Sequence, residues 1–577
     1  MKQIYTKIKN KELINYILIL IVATIAAIPL INLRIYGTHD GFIHMLRTIG
    51  VKNILKQGIF PPFIDTTYCN NFGYAINVFY PPIVTYLPVL IKFIFENISN
   101  SLKIYTYLTI ILSGFTMYEF LKEISNKKEI ALFSAIIYIF IPYRLETIYT
   151  RFAIGEFSAY IFIPLVFLGL HNLLYGDKNK HYYISIGAIG LILTHTLSTE
   201  YTAIFSLIYI LLNFNKLKNK EVLKKIAINV IFIITITSFF WIPLLEYRLH
   251  SNYSIFSSDA MGYTGADVSQ NTISLMQLIK DIDSTKVSFS LGIGFLVFIL
   301  LGIVTYRKME NKDKSNYLSF LLIAIISLFM ATKYFPWRVM PNCISTMQFA
   351  WRMLMFFEFA CATLCGYNLY TLINILNKNN SKNIEKLFAV LTSILIVITM
   401  SKVNYNYRYE EFKKTNDNDY EKWIQSQERI SPYKINREYL PRKRDKDINK
   451  YIATRDYNIH IIYGKATILE QNKDKLNFKA KLTEVEKETK LELPFINYPG
   501  YKIELENDKY KKVLKYEESE YGFIQITIPE DMENANIKVQ YTGTPLEKIS
   551  YIISIIGVIG FIIYLSNKKR KEKIESK

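Results

Sequence analysis

Apolar runs close to the length of a membrane-crossing helix recur from residue 13 to 402, and one more occupies 549–565. They predict transmembrane helices near 13–33, 103–121, 129–143, 157–175, 182–196, 199–214, 226–244, 289–306, 316–332, 353–375, 386–402 and 549–565. Two of these, 182–196 and 199–214, are short for full spans, which places the intervening HTLST below the membrane surface. The stretch FYPPIVTYLPVLIKFIF (79–95) carries prolines at 81, 82 and 88, so it reads as a broken helix lying at the interface. From 403 to 548 the period changes. Alternating stretches such as KLNFKAKL, GFIQITI and NIKVQY stand among turn signals like NYPG and YTGT, which predicts a sandwich-like β-domain. The charged segment 405–450 reads as an irregular or helical lead-in.

Loop charge sets the orientation. Lysines fill KEISNKKE (122–129), GDKNKH (176–181), NKLKNKEVLKK (215–225), RKMENKDK (307–314), NKNNSKNIEK (377–386) and both termini. Putting all of them in the cytoplasm gives twelve crossings with both ends inside, provided 79–95 does not cross. The expected architecture is a multi-pass α-helical membrane protein with a C-terminal extracytoplasmic β-rich domain. Its parts are a membrane domain (1–402) with a long first outer loop (34–102), the β-domain (403–548), and a last span with a basic cytoplasmic tail (549–577).

Composition agrees: 51% of the 577 residues are hydrophobic. The net charge of +20 at pH 7 is explained by the loop lysines, so nucleic acid is not an implied partner. Cys69, Cys343, Cys361 and Cys365 form no CxxC or zinc pattern.

Arginine departs from the rule that lysine follows. Residues 1–402 hold eight arginines, and this topology places all but Arg307 outside. Lysine is a hydrated point charge, whereas arginine is a planar fork that grips phosphate oxygens in pairs. Snorkelling at helix ends accounts for Arg34, Arg144 and Arg248. It accounts less well for Arg151 in TRFAIGE and Arg352 in MQFAWR, the leading candidates for holding a lipid phosphate, with Arg47 and Arg338 behind them. Other polar groups fall on the same side. Asp40 and His44 stand in the first outer loop, Glu156 in the second, His195 and Glu200 around HTLST, and Gln348 before the tenth span. Polar groups from four loops on one face read as a site. Phe79, Tyr80, Trp337 and Trp351 are candidates to stack on sugar or prenyl groups, with an interfacial aromatic belt as the default. Glu358, two turns into the tenth span, calls for a partner or a pore.

THDGFIHMLR, GIFPPF and NFGYAINVFYPPIVTYL, followed by RFAIGEFSAY, LTHTLS and MQFAWRML, resemble the bacterial membrane family named 6-pyruvoyl-tetrahydropterin synthase-related. NYPGYKIEL with VQYTGT resembles the outer domain of YfhO-like proteins. These families resemble in turn the GT-C superfamily of integral-membrane glycosyltransferases. The resemblance implies a polyprenyl-phosphate-linked sugar as donor, an extracytoplasmic site, and an essential acid just after the first span, matched here by Asp40. Glu156 is the nearest match to a second-loop acid. Two features depart from the pattern: His39 stands beside Asp40 where many relatives carry adjacent acids, and Ala350 replaces an expected proline. His39, Asp40 and His44 are candidate ligands for a divalent ion, though their spacing fixes none.

The expected function is a membrane glycosyltransferase acting on an envelope glycan, lipid or protein acceptor. Asp40 is the expected base with Glu156 second, arginines meet the leaving phosphate, and His44, His195, Gln348 and Tyr80 support them. Two alternatives use the same groups differently: a transporter or flippase of lipid-linked sugars, and a non-catalytic envelope scaffold.

Overall fold

A computed structural model describes residues 2–95, 97–256, 265–279, 287–341, 347–377, 417–426, 438–443, 446–507 and 509–575. Among them, Glu12–Ile31, Ile98–Ser125, Ile154–Leu174, Asn311–Ala331, Ala350–Leu376 and Pro545–Lys568 are long and apolar enough to cross a membrane. Two helix pairs qualify only together and are bent: Lys128–Phe140 with Pro142–Tyr149 by 40°, and Lys220–Ile236 with Ser238–His250 by 66°. That makes six spans, or eight with the bent pairs, among the described residues. The expected spans near 182–196, 199–214 and 289–306 fall on shorter helices: Tyr183–Ile192, Thr196–Leu211, and Ile293–Leu300 with Gly302–Thr305. The span expected at 386–402 lies outside the described residues.

Each break has a local cause. Pro142 starts a new helix at its first position, leaving backbone donors with no water to meet. Glu358 reaches them from the helix Leu354–Asn377, accepting from the Tyr143 N–H at 2.9 and 3.1 Å. The intramembrane acid therefore caps a helix. The HTLST break is closed similarly, because His195 Nδ1 accepts from the Ser198 N–H at 3.2 Å and caps Thr196–Leu211. Arg144 does not snorkel. It is fully buried between the rings of Tyr138 and Tyr160, where it donates to the Tyr138 and Thr109 carbonyls at 3.3 and 3.4 Å.

The first long connection contains helix Gly41–Lys56 and the twelve-residue helix Ile83–Ile94. The latter buries Val84, Thr85, Pro88 and Val89 and exposes Leu87, Leu90, Phe93 and Ile94. That two-sided pattern suits an interface-lying helix. Within the lead-in, helix Asp417–Ser426 offers Asp417 to the N–H groups of Ile35 and Tyr36 at 3.2 and 3.1 Å. It thereby fixes the backbone just before Asp40.

Among the described residues, nine antiparallel strands form two sheets: β1 (His460–Tyr463), β2 (Thr467–Asp474), β3 (Asn477–Val485), β4 (Lys490–Ile496), β5 (Tyr501–Glu506), β6 (Lys511–Leu514), β7 (Glu517–Glu518), β8 (Phe523–Thr527) and β9 (Met532–Tyr541). Their orders are β1-β4-β8-β7 and β2-β3-β9-β5-β6. Phe478, Ala480 and Leu482 on β3 alternate inward, as do Ala535, Ile537 and Val539 on β9, while Leu491, Leu493 and Phe495 on β4 are also buried. The sheets and the helix Ile448–Thr454 grip the first long connection at Cys69–Asn71, three residues in left-handed backbone (φ 49°, 52° and 65°). Asn70 Nδ2 donates to Ile452 O at 2.8 Å, Lys473 Nζ to Asn71 O at 2.5 Å, and the Ile496 N–H to Phe72 O at 3.1 Å. These contacts hold an unfavourable turn in place.

Candidate active site

The turn between Pro142–Tyr149 and Ile154–Ala159 passes through Phe152 at φ 50°, a left-handed angle costly for a bulky residue. It folds Arg151 back onto Glu156, with Arg151 Nη1 donating to Glu156 Oε2 at 2.9 Å. The Tyr143 hydroxyl donates to Glu156 Oε1 at 2.5 Å and accepts from Arg151 Nη1 at 3.3 Å. A second left-handed residue, Gln348 at φ 60°, precedes Arg352. Its Oε1 accepts from Arg352 Nη1 at 2.8 Å, and Tyr201 holds the same turn by donating to Met347 O at 2.6 Å. Arg352 Nε lies 3.5 Å from Glu156 Oε2 but makes no hydrogen bond. Strained backbone thus adjoins both arginines that converge on Glu156.

Asp40 meets this cluster from the first long connection. The His39 and Asp40 N–H groups donate to the Thr150 and Arg151 carbonyls at 3.2 and 2.8 Å. Arg151 Nη2 lies 4.0 Å from Asp40 Oδ2. The two carboxylates differ in exposure: the Asp40 side chain is 46% exposed, that of Glu156 1%. Glu156 is occupied by two guanidinium groups and a phenol, whereas Asp40 is open to a ligand. Burial works against the Arg151 charge, but Glu156, Tyr143 and Asp40 outweigh it and hold its pKa above the ordinary value.

Arg47 completes the site. It is 1% exposed, its Cζ sits 3.9 Å over the Tyr80 ring, and among the described residues none of its three side-chain nitrogens has a hydrogen-bond partner. Tyr80 links it to the rest. A Cβ on Gly155 would lie 3.2 Å from the Tyr80 hydroxyl and 2.8 Å from His195 Cδ2. The three thus meet beside Glu156. Burial pushes the Tyr80 hydroxyl up to about 12, so it stays a neutral donor. His44 turns its ring edge toward Tyr80, centroids 5.8 Å apart, rather than orienting Asp40. Burial, then Arg47 and His195, hold His44 well below its usual pKa and therefore neutral. Asp65, whose carboxyl feels the Arg47 charge, is nevertheless pushed up to about 7 by burial and leaves Oδ2 without a hydrogen-bond partner among the described residues. The site therefore sets three guanidinium groups (Arg47, Arg151, Arg352) against two carboxylates (Asp40, Glu156), with Asp65 a weakened third. A buried cation without partners is costly, and an arriving anion would relieve it.

Most of the expected residues meet here: Asp40, Glu156, Arg151, Arg352, Arg47, Gln348, Tyr80, His44 and His195. Arg338 stands apart, exposed, with its Nε donating to Ser269 Oγ at 3.3 Å. No group of three or more His, Cys, Asp or Glu side chains is placed to hold a metal ion among the described residues, so His39, Asp40 and His44 do not converge as one. Sequence reasoning missed Tyr143, Tyr201 and Asp65. Only the position of Tyr143 directly after a helix-starting proline offered a signal.

Comparison with known proteins adds three findings. The model of the family described as "6-pyruvoyl-tetrahydropterin synthase related domain; membrane protein" matches residues 78–408. A Lactococcus lactis subsp. cremoris protein described as "Uncharacterized protein" is 27% identical over 340 residues, 56% of this chain and 54% of that one. The chain thus spans about half the length of the curated relative it matches. The cryo-EM structure of arabinofuranosyltransferase AftD from Mycobacteria aligns with a TM-score of 0.43 at 11% identity, over 67% of this chain and 27% of that one.

Proposed function

The chain belongs to the 6-pyruvoyl-tetrahydropterin synthase related family of membrane proteins, and on that premise we propose that it is a membrane glycosyltransferase. It moves a sugar from a polyprenyl-phosphate donor to an extracytoplasmic envelope acceptor. Residues 1–402 form the catalytic membrane unit, 403–548 an extracytoplasmic domain, and 549–577 the closing span and cytoplasmic tail.

The observation that carries this reading is the buried, unpartnered Arg47 guanidinium beside two others that share one carboxylate. A phosphate group between Arg47 and Arg352 Nε would satisfy donors that have no hydrogen-bond partner among the described residues. Glu156 then serves to hold Arg151 and Arg352 in position, since a carboxylate with three partners is a poor base. Asp40 is the open carboxylate and accepts the proton of the acceptor hydroxyl as that oxygen attacks the anomeric carbon. The bond from anomeric carbon to phosphate oxygen breaks, and the charge gathering on the phosphate meets guanidinium groups already fixed in place. Tyr80 adds a neutral donor at the same spot.

The test compares envelope glycan composition in a deletion strain carrying wild type or Asp40→Asn, with sulfhydryl labelling of Asp40→Cys to locate residue 40. We expect the deletion phenotype to persist with Asp40→Asn, and labelling from outside the cell. Full restoration by Asp40→Asn would favour a flippase or scaffold, and labelling only from inside would remove the extracytoplasmic site.

A further inference from the structure

The solvent face of the five-stranded sheet carries a polar shelf. Strand register sets Asn472, Lys479 and Lys538 side by side in one row and Asp474, Asn477 and Gln540 in the next. The six line a cavity of about 410 Å³, floored by Phe478 and Val539. Farther along this face the charges are paired: Lys481 with Glu470 at 3.0 Å, and Lys502 and Lys511 with Glu504 at 2.8 and 3.2 Å. None of the six shelf side chains makes a hydrogen bond or an ion pair among the described residues.

The chemistry of the shelf narrows its occupant. Three amides each offer donors and an acceptor, as vicinal sugar hydroxyls require. Two lysines against one aspartate leave a single positive charge, suited to a neutral or weakly acidic chain. β3 and β9 each have a strand on both sides, so near the shelf an added peptide strand could pair only at the outer edge of β2, where it would lie beside the shelf and not across it. Single-stranded nucleic acid needs exposed aromatic platforms, and Phe478 is buried. The shelf also lies close to the membrane unit. The hairpin at its end is fixed to the first long connection by Lys473 on Asn71 O at 2.5 Å, and Leu476 packs near Gly73. That connection is the one carrying Asp40.

We propose that this shelf is an acceptor subsite holding an extended oligosaccharide. The acceptor role rests on the transferase reading above; the binding itself does not. The experiment uses the full chain in nanodiscs and defined oligosaccharides of three classes: neutral hexose, amino sugar and uronate. Wild type should retain at least one class. The triple variant Asn472→Ala, Asn477→Ala, Gln540→Ala should bind it about tenfold more weakly or worse. The control pair Glu470→Ala with Lys481→Ala, on the same face but off the shelf, should bind like wild type, and matched thermal unfolding of all variants excludes misfolding. Retention of no class by wild type, or undiminished binding by the triple variant, overturns the proposal. Binding without any sugar transfer by wild type removes the transferase reading and leaves the shelf as a glycan-binding site.

Discussion

Among the described residues two carboxylate–guanidinium clusters are buried, and they are built to opposite ends. In the β-rich region Arg455 meets Glu492 at 3.1 Å with both side chains fully buried. Tyr451 and Ser519 donate to the same carboxylate at 2.6 and 2.5 Å, and Arg455 places its other nitrogens on the Asp456 and Glu492 carbonyls at 2.7 and 3.3 Å. Charges balance one to one. In the membrane unit Glu156 faces Arg151 and Arg352, with Arg47 close by and unpaired. The balanced pair ties the helix Ile448–Thr454 to β4 and has nothing left to offer. The unbalanced cluster has donors waiting and strained backbone beside its arginines, as sites poised for a ligand do. Burial alone therefore does not mark a functional ion pair. Surplus charge does.

Four substitutions probe that contrast. The largest expected effect is on turnover: Asp40→Asn should lower kcat roughly 10²–10⁴-fold, the usual contribution of a positioned base, in a transfer assay with purified protein, while thermal stability holds. Arg47→Gln should follow with a loss of roughly 10²–10³-fold, as for removal of a transition-state donor. The same change should leave the melting temperature unchanged or raise it, because it removes a buried charge that has no partner. Arg455→Ala should do the reverse and destabilise by about 3–5 kcal/mol, since it strands Glu492, as measured by denaturant or thermal unfolding. The fourth effect depends on pH. Asp65 titrates near 7 in the fold against an ordinary 3.8, so its contribution to stability is full below about pH 4 and is lost as pH rises through about 7. Asp65→Asn should flatten that slope in a pH series of thermal unfolding.

Much of this was legible before any coordinates. The contrast between lysine in loops and arginine elsewhere points to Arg151 and Arg352, because those residues depart from the orientation rule in the topology expected from the loop lysines. Alternation in KLNFKAKL and NIKVQY gave β3 and β9, since a half-buried strand must alternate. Pro142 stands inside the span expected at 129–143, which breaks there, and the 66° bend after Ile236 has no such proline at its break. Arg144 misled for a plain reason: its position beside a span looked like snorkelling, and only packing reveals Tyr138 and Tyr160 closing over it. Arg47 stands out only in the fold, because a sequence displays a charge but never the lack of a partner. Asp65 was invisible too, its carboxyl packed on Gly50 where a Cβ would stand 1.6 Å from Oδ2.

The most direct test asks whether the unpaired cation receives phosphate. Thermal unfolding of the full chain in nanodiscs can be followed with and without added polyprenyl phosphate, for wild type and Arg47→Gln. Our reading expects wild type to gain several degrees with the lipid and Arg47→Gln to gain little or none, although it starts at least as stable. An equal gain by both proteins would contradict it.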